Sequence, residues 1–259
     1  MAQTDATSTV EALSQVRSLA FDLMGTCADW HTSVCQALVS SPLVPGKDID
    51  RSELAHRWRA GFFRHILDAF EKGEQSPDID VVHRLVLDDM LEDLGVGMGI
   101  WDERERQRLV NAWHKQTAWP DVIDGINSLK ERLDVVVLAN GTTRLQLDIV
   151  SSAALPFHAL LSSQLLGLSK PDLAVYKRCI QLLDRRPEEV AMVAAHAYDL
   201  RAAAQAGMRT VYIRRDTEDP DEDMSQLQHE FDLFIDGRTA GGARAGLARL
   251  AEIMQRSLQ

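Results

Sequence analysis

The sequence predicts an α/β protein with a doubly wound, Rossmann-like parallel sheet and an inserted all-helical domain. Three observations indicate this fold. Short apolar runs alternate with amphipathic helical patterns over most of the chain, as in parallel sheets with helices on both faces. The alternation stops between about residues 32 and 117, where the patterns are helical. Polar residues follow several apolar runs, at the strand ends where open α/β sheets bind ligands.

The predicted strands are short and almost uninterrupted apolar runs, the pattern of strands buried on both faces. The clearest runs are residues 18–23, 134–140, 190–195 and 209–215, and weaker runs cover residues 158–163 and 231–236. Helical patterns, with apolar residues three and four positions apart, occur at residues 121–132, 142–153, 171–184, 198–206 and 242–256. Together they predict one parallel sheet covered by helices.

The strandless interval contains three amphipathic patterns, at residues 51–71, 80–94 and 102–117. It begins directly after the first strand, so we expect it to fold over the carboxyl end of the sheet as a cap. The predicted organisation is a disordered tail at residues 1–16, a core domain of residues 17–31 and 118–259, and a helical cap domain of residues 32–117.

Two conspicuous stretches are interpreted as loops. The glycine-rich residues 95–100 follow a helical pattern and lack the GxGxxG spacing of nucleotide-binding turns. The acidic run at residues 217–226 is typical of a solvated loop.

The composition and charge of the chain argue against several classes of protein. The formal net charge of the 259-residue chain is −11 at pH 7, which argues against nucleic acid or anionic membranes as partners. No apolar run reaches the roughly 18 residues that span a bilayer, and the polar N-terminus does not resemble a secretory signal. Cys27, Cys35 and Cys179 lack metal-ligand spacing, so we expect reduced thiols in a cytoplasmic protein.

Polar side chains follow several predicted strands, and each of them alone has an ordinary structural explanation as a turn residue or helix cap. Four strand ends of one predicted sheet carry such residues, and this combination predicts a common site. The residues are Asp22 and Thr26 after the first strand, Asn140 after the second, Lys170 before a helix, and His196 with Asp199.

These motifs resemble those of the haloacid dehalogenase superfamily, and within it the (S)-2-haloacid dehalogenase branch, over residues 17–257. FDLMGT resembles the first motif, with Asp22 at the nucleophile position, and LANGTT the second, with Asn140. LSKPDLAVYKR resembles the third, with Lys170 and Tyr176, and VAAHAYDLRAAAQAGMRTVYIRR the fourth, with Asp199. In the predicted cap, RWRAGFF carries Arg59 at the place of the family's substrate arginine.

The chain departs from that branch at pocket positions. Ala194 and His196 stand where the dehalogenases have a serine and an asparagine, Tyr198 replaces a tryptophan, and Ala60 replaces a cap glutamine. These changes leave the natural substrate, the halogen and the chain length open.

The position two residues after Asp22 distinguishes reaction types. Phosphatases of the superfamily carry a second acid there, and this chain has Met24. A methionine can neither donate nor accept a proton, which suits a halide because it leaves as a stable anion. The resemblance implies displacement by Asp22, an aspartyl ester and no metal cofactor; Mg²⁺ enters only if the phosphatase alternative holds.

The remaining roles are hypotheses about the same residues. Lys170 and Arg59 would supply positive charge, with Arg59 pairing with a substrate carboxylate or halide. Asp199 would orient water onto the ester, and backbone donors at Gly25 and Thr26, with Asn140, would stabilise the oxyanion. His196 is either a hydrogen-bonding group or a general base.

The substrate pocket is expected to include Met24, Arg59, Phe63, Tyr176 and Tyr198. The aromatic residues of the cap segment have two interpretations, as pocket lining or as core; they are Trp30, Trp58, Phe62 and Phe63.

The partner implied is a small carboxylate substrate, and the resemblance implies a homodimer. Three alternatives remain open at this point: a hydrolase acting on an ester or C–C bond, a Mg²⁺-dependent phosphatase, and a non-catalytic binding protein on the same fold.

Overall fold

The structure is a computed structural model that describes residues 13–72 and 78–257. It divides into two compact units. The sheet unit comprises the described residues of Met1–Asp29 and Ala118–Gln259, and the helical unit those of Trp30–Thr117.

The sheet unit is built on six parallel strands in the order β5-β4-β1-β6-β7-β8, which confirms the predicted α/β fold. In chain order the strands of the protein are β1 (Ser18–Phe21), β2 (Ala28–Asp29), β3 (Thr117–Ala118), β4 (Asp134–Ala139), β5 (Ala159–Ser162), β6 (Val190–Ala194), β7 (Arg209–Arg214) and β8 (Leu233–Asp236). Ser18 of β1 is in register with Asp134 and Val190. The carboxyl end of β1 therefore lies between those of β4 and β6.

The helical unit contains α1 (Trp30–Val39), α2 (Arg51–Glu71), α3 (Ile79–Asp93) and α4 (Glu103–Ala112). Helices α2 to α4 occupy the predicted segments, and α4 ends before the predicted residue 117. Asp78 and Asp102 cap α3 and α4 by accepting hydrogen bonds from backbone N–H groups of the first turn. Helix α1 was not predicted.

In the described part of the chain, seven further helices flank the sheet. They are α5 (Val122–Lys130), α6 (Thr143–Ser152), α7 (Ser163–Leu166), α8 (Leu173–Leu182), α9 (Ala197–Gln205), α10 (Met224–Glu230) and α11 (Gly246–Ser257), with short 3₁₀ turns at Pro187–Glu189 and Thr239–Arg244. On one side of the sheet, Val136 and Met192 share a buried cluster with Val175 of α8 and Leu200 of α9. None of the described helices combines the length and apolarity needed to cross a membrane.

Two predictions about irregular segments need correction. The tail was expected to run to residue 16, but Leu13 and Val16 are fully buried; residues 1–12 lie outside the described residues. The acidic run 217–226 is not simply a solvated loop, because Glu218 is buried and the run ends inside α10.

Candidate active site

Asp22 follows β1 directly and is held there by its backbone N–H, which donates to the Val193 carbonyl at 3.0 Å. Its two carboxylate oxygens have different partners. Lys170 Nζ lies 2.8 Å from Oδ1, whereas the Thr26 hydroxyl donates to Oδ2 at 2.7 Å and His196 Nδ1 lies 3.2 Å from Oδ2. The carboxylate is almost completely buried and surrounded by hydrogen-bond donors.

Lys170 lies between two carboxylates, because its ammonium also donates to Asp199 Oδ2. Burial opposes the charge of Lys170, but Asp199 and Asp22 outweigh it and raise its pKa above the usual value. Tyr176 donates to Asp199 Oδ1 at 2.6 Å. Burial, followed by the Asp199 charge, raises the pKa of Tyr176, so the hydroxyl remains a proton donor. Asp22, Lys170, Asp199 and Tyr176 thus form one connected network.

The two carboxylates that share Lys170 are shifted in opposite directions. Burial alone would raise the pKa of Asp22, but Lys170 and His196 lower it far below its ordinary range. Burial, only partly offset by Lys170, raises the pKa of Asp199, with a further contribution from the charge of Asp22. Such a separation gives two like residues different roles: Asp22 is the firmly ionised carboxylate and Asp199 the more basic one.

Asn140 lies at the site and binds the backbone of Lys170. Its side-chain amide donates to the Lys170 carbonyl at 2.9 Å and accepts from the Lys170 N–H at 2.8 Å. The side chain thus binds the backbone of Lys170 and fixes the segment that presents the ammonium. The contribution of Asn140 to an oxyanion site stays a prediction, since its amide nitrogen carries a second hydrogen.

The turn after Asp22 also differs from expectation. The Gly25 N–H donates to the Ala28 carbonyl at 2.9 Å, so it is not an oxyanion donor. Thr26 contributes through its side chain, which donates to Asp22 and accepts from the Ala195 N–H at 2.9 Å. Gly25 adopts a φ of +87°, and a Cβ there would lie 2.5 Å from the carboxylate of Glu218. Only glycine fits this position.

His196 is clamped between two carboxylates. Nδ1 faces Asp22, and Nε2 lies 2.8 Å from Glu218 Oε2. Burial favours the neutral ring, but the hydrogen bonds and charges of Asp22 and Glu218 prevail and raise the pKa of His196 to about 10. Contacts with a carboxylate at both ring nitrogens favour the protonated ring at neutral pH. The hydrogen-bonding role of His196 fits this arrangement better than the general-base role, and both stay predictions.

Glu218 was missed by sequence reasoning because it lies in an acidic run that looked solvated. It is buried, and its Oε1 accepts from the Thr217 hydroxyl at 2.7 Å. The neighbouring Asp219 accepts from the N–H of Ala197, the first residue of α9, at 2.6 Å. The sequence did contain one indication that Glu218 belongs to the site, because it follows the predicted strand at residues 209–215 by only a few residues.

A buried ion pair behind the turn was also missed. Arg215 donates to both oxygens of Asp121, at 2.7 and 3.0 Å, and to the carbonyl of Thr26 at 3.1 Å. The Trp119 indole N–H donates to the Gly25 carbonyl at 2.8 Å, and the Arg215 guanidinium lies over the Trp119 ring. These side chains hold the two carbonyls of the turn that carries Thr26.

In the helical unit, Arg59 is surrounded by aromatic rings. Its guanidinium carbon lies 4.4 Å from the ring centre of Phe63 and 5.4 Å from that of Trp30, with Phe62 and Trp113 at 5.9 Å. Such contacts stabilise a desolvated cation.

The aromatic residues of this segment were interpreted either as pocket lining or as core, and their burial distinguishes the two. Trp30 and Trp58 are buried members of the unit's core, and the Trp58 indole N–H donates to the His83 carbonyl at 2.8 Å. Phe62 is buried too, whereas Phe63 is half-buried against Arg59.

Two residues that were predicted to line the pocket lie close to the residues of the hydrogen-bond network. Met24 is half-buried in the turn after Asp22 and forms an isolated bridge with Ala28. The half-buried ring of Tyr198 lies 5.7 Å from that of His196.

Within residues 13–72 and 78–257, no group of three or more His, Cys, Asp or Glu side chains is arranged as a metal site. The space between Asp22 and Asp199, which a divalent cation would share, contains the Lys170 ammonium. In the sheet unit, His196 lies beside Asp22 as Lys170 does. The expectation that Arg59 supplies positive charge to the site stays a prediction.

Known proteins resemble the chain over most of its length. A solved L-2-haloacid dehalogenase aligns with a TM-score of 0.76 and 31% identity, covering 92% of this chain and 99% of the other. A defluorinating L-2-haloacid dehalogenase aligns with a TM-score of 0.80 and 30% identity, covering 93% and 95%. An (S)-2-haloacid dehalogenase of Pseudomonas sp. (strain YL) is 26% identical over 89% of this chain and 98% of its own length.

A relative with another activity also aligns. A phosphoglycolate phosphatase of Chromobacterium violaceum is 24% identical over 87% of this chain and 99% of its own length. A sequence model of the haloacid dehalogenase-like hydrolases matches residues 16–207, the segment that carries Asp22, Asn140, Lys170 and Asp199. The protein belongs to the haloacid dehalogenase-like hydrolase family.

Proposed function

We propose that the protein hydrolyses (S)-2-haloalkanoic acids through a covalent ester at Asp22. One observation carries the proposal: a buried carboxylate that stays ionised is paired with an ammonium, where a phosphatase would need a second acid and a metal. The named dehalogenase relatives support the substrate class.

In the first step Asp22 attacks the halogen-bearing carbon and the halide leaves. Carboxylate oxygen is a modest nucleophile, but proximity and orientation can supply roughly 7–11 kcal/mol of the barrier. Lys170 and His196 keep Asp22 ionised, and Met24 is consistent with a leaving group that needs no proton. Arg59 would bind the substrate carboxylate or the departing halide through its planar guanidinium.

In the second step water attacks the ester carbonyl carbon of Asp22. Asp199 is the base in this step, since its pKa is raised and its carboxylate reaches the network through Lys170 and Tyr176. The bond that breaks joins the Asp22 carbonyl carbon to the ester oxygen. The substrate carbon is therefore attacked once, and an (S)-2-haloacid gives the (R)-2-hydroxyacid.

A single turnover in H₂¹⁸O tests the covalent step. We expect ¹⁸O in the side chain of Asp22, found by mass spectrometry of its peptide, and unlabelled oxygen in the first-turnover product. Asp22→Asn should abolish turnover, because an amide cannot replace the carboxylate nucleophile. Label in the first-turnover product with none in the Asp22 peptide would show that water attacks the substrate directly.

Chelation tests the distinction from a phosphatase. We expect turnover of 2-chloropropionate to be unchanged in EDTA and not increased by Mg²⁺, because an ammonium already lies between Asp22 and Asp199. Hydrolysis of p-nitrophenyl phosphate, measured in parallel, should be negligible with or without Mg²⁺. Haloacid turnover that is lost in EDTA and restored by Mg²⁺ would contradict the assignment.

A further inference from the structure

The two oxygens of Asp22 differ in how many donors they face. In the described part of the chain, Oδ1 accepts a hydrogen bond from Lys170 alone, whereas Oδ2 faces both the Thr26 hydroxyl and the His196 ring. A carboxylate oxygen has two in-plane lone pairs. Oδ1 therefore keeps one for attack on carbon, and both lone pairs of Oδ2 are engaged.

This difference determines what each oxygen becomes in the ester. The attacking atom, Oδ1, becomes the ester oxygen, and Oδ2 becomes the carbonyl oxygen. When water adds to the carbonyl carbon, the negative charge develops on Oδ2. Two donors are already directed at that atom, which is the geometry of an oxyanion hole.

We propose that the Thr26 hydroxyl and the His196 imidazolium form the oxyanion hole for hydrolysis of the Asp22 ester, and that Glu218 is the positioning residue that keeps His196 protonated and directed at Oδ2. The inference rests on the proposed function, since it concerns the second half of that reaction. It adds side-chain donors to those expected from the sequence, of which the Gly25 N–H is already bonded to the Ala28 carbonyl.

The step is balanced as follows. Water attacks the carbonyl carbon and gives one proton to Asp199, while the π electron pair moves onto Oδ2. The double bond then re-forms, Oδ1 leaves with its bonding pair on the product, and the Lys170 ammonium protonates it. The new carboxylic acid of Asp22 returns a proton to Lys170, and Asp199 releases its proton to solvent. His196 donates a hydrogen bond throughout and transfers no proton.

The charges around His196 explain why Glu218 is needed. Asp22 faces Nδ1 and Glu218 faces Nε2. Asp219 follows Glu218 in the loop after β7, and the Tyr198 ring lies 5.7 Å from the imidazole. Lys170 is bonded to the other oxygen of Asp22. Once the ester forms, Asp22 loses its negative charge and Glu218 remains the carboxylate bonded to the ring. Glu218 therefore maintains the cation in the step that uses it.

Glu218→Gln tests the proposal, with Glu222→Gln as the matched control. Glu222 lies in the same acidic segment and pairs with Arg201 at the surface. Rapid-quench experiments with 2-chloropropionate would measure chloride release and, by mass spectrometry, ester on the Asp22 peptide. In Glu218→Gln we expect chloride release in the first turnover to persist and ester hydrolysis to slow at least roughly tenfold. Removal of one oxyanion donor costs about 10²–10³-fold, and this variant weakens the His196 donor without removing it. The ester should then accumulate.

The pH profile distinguishes this role from a structural one. Loss of one carboxylate lowers the pKa of His196, so ester hydrolysis in Glu218→Gln should decline at a lower pH than in the wild type. A variant that is merely distorted would be slower at every pH with an unchanged profile. His196→Asn is the second variant, because its neutral amide can still donate; the alkaline decline due to the imidazolium should disappear.

Two results would overturn the inference. One is an ester that forms in Glu218→Gln and is hydrolysed at the wild-type rate with the wild-type pH profile. The other is an alkaline decline that persists in His196→Asn. Failure of the proposed function looks different, because no ester would then be trapped on Asp22 in any variant, the wild type included.

Discussion

At the scale of single residues, one ammonium shared by two carboxylates separates their chemistry. Lys170 contacts both Asp22 and Asp199. Asp22 has two further hydrogen-bond partners, Thr26 and His196. The pKa of Asp22 is lowered, whereas that of Asp199 is raised. Environment alone thus gives two residues of the same type different acid–base properties, as the proposed roles of nucleophile and base require.

In the helical unit, Arg59 is the residue whose substitution we expect to impair substrate binding. Arg59→Lys should lower kcat/KM for 2-chloropropionate at least about tenfold, because a point charge does not reproduce a planar guanidinium that binds a carboxylate with two hydrogen bonds. Arg57→Lys is the control, since Arg57 lies two residues away on α2 and pairs with Asp93 at the surface. Steady-state kinetics on both variants measures the difference. Near-normal kcat/KM in Arg59→Lys would point to another arginine.

At the scale of elements, the turn after β1 is held from behind by side chains that are distant in sequence. Trp119 binds the carbonyl of Gly25, and Arg215 binds that of Thr26. Arg215 is in turn fixed by Asp121, which also accepts from the Leu247 N–H at the start of α11. The position of the Thr26 hydroxyl, and with it the orientation of Asp22, depends on this buried ion pair.

We expect Asp121→Ala to lower the free energy of unfolding by about 3–5 kcal/mol, because it leaves the guanidinium of Arg215 buried without its counter-ion. Asp124→Ala on the same helix is the control, since Asp124 is exposed and should change stability by less than about 0.5 kcal/mol. Urea unfolding at pH 7 measures both. Equal stability of the two variants would show that the pair does not support the sheet unit.

At the scale of the whole molecule, an acidic protein buries two basic side chains at the candidate site and pairs both with carboxylates. The net charge is −11, yet Lys170 and His196 are both buried beside Asp22. The homodimer implied by the resemblance and the cytoplasmic location stay predictions; sedimentation equilibrium tests the first.

The protonated His196 also predicts how stability depends on pH. Its pKa is raised from 6.5 to about 10 on folding, so the folded state binds the extra proton between these values. The contribution to the free energy of unfolding is complete below pH 6.5 and is lost as pH rises through about 10.

Denaturant unfolding of the wild type and His196→Asn at several pH values isolates that contribution. The wild type should lose stability relative to the variant as pH rises across this window. A difference that does not change with pH would mean that His196 is not charged in the folded protein.

Much of the fold and part of the site followed from the sequence alone. Strand and helix periods are local, because a side chain's face is set by its neighbours along the same element. The apolar runs therefore predicted all six strands of the main sheet, including the weak ones at β5 and β8. Parallel strands bring their carboxyl ends to one edge, which is why Asp22, Lys170, His196 and Asp199 were expected together, and the structure brings them together.

Only the tertiary structure decided the partners of those residues. Glu218 looked like part of a solvated acidic loop, and it is buried because Gly25, nearly two hundred residues earlier, leaves room for its carboxylate. Asp121 and Arg215 are unremarkable in sequence and form a buried pair across 94 positions. The same holds for the roles of Thr26 and Asn140, whose polar groups were identified but whose bonds were not. A sequence pattern records which groups are polar, whereas the charge of His196 and the donors to each Asp22 oxygen depend on distances between segments that only folding brings together.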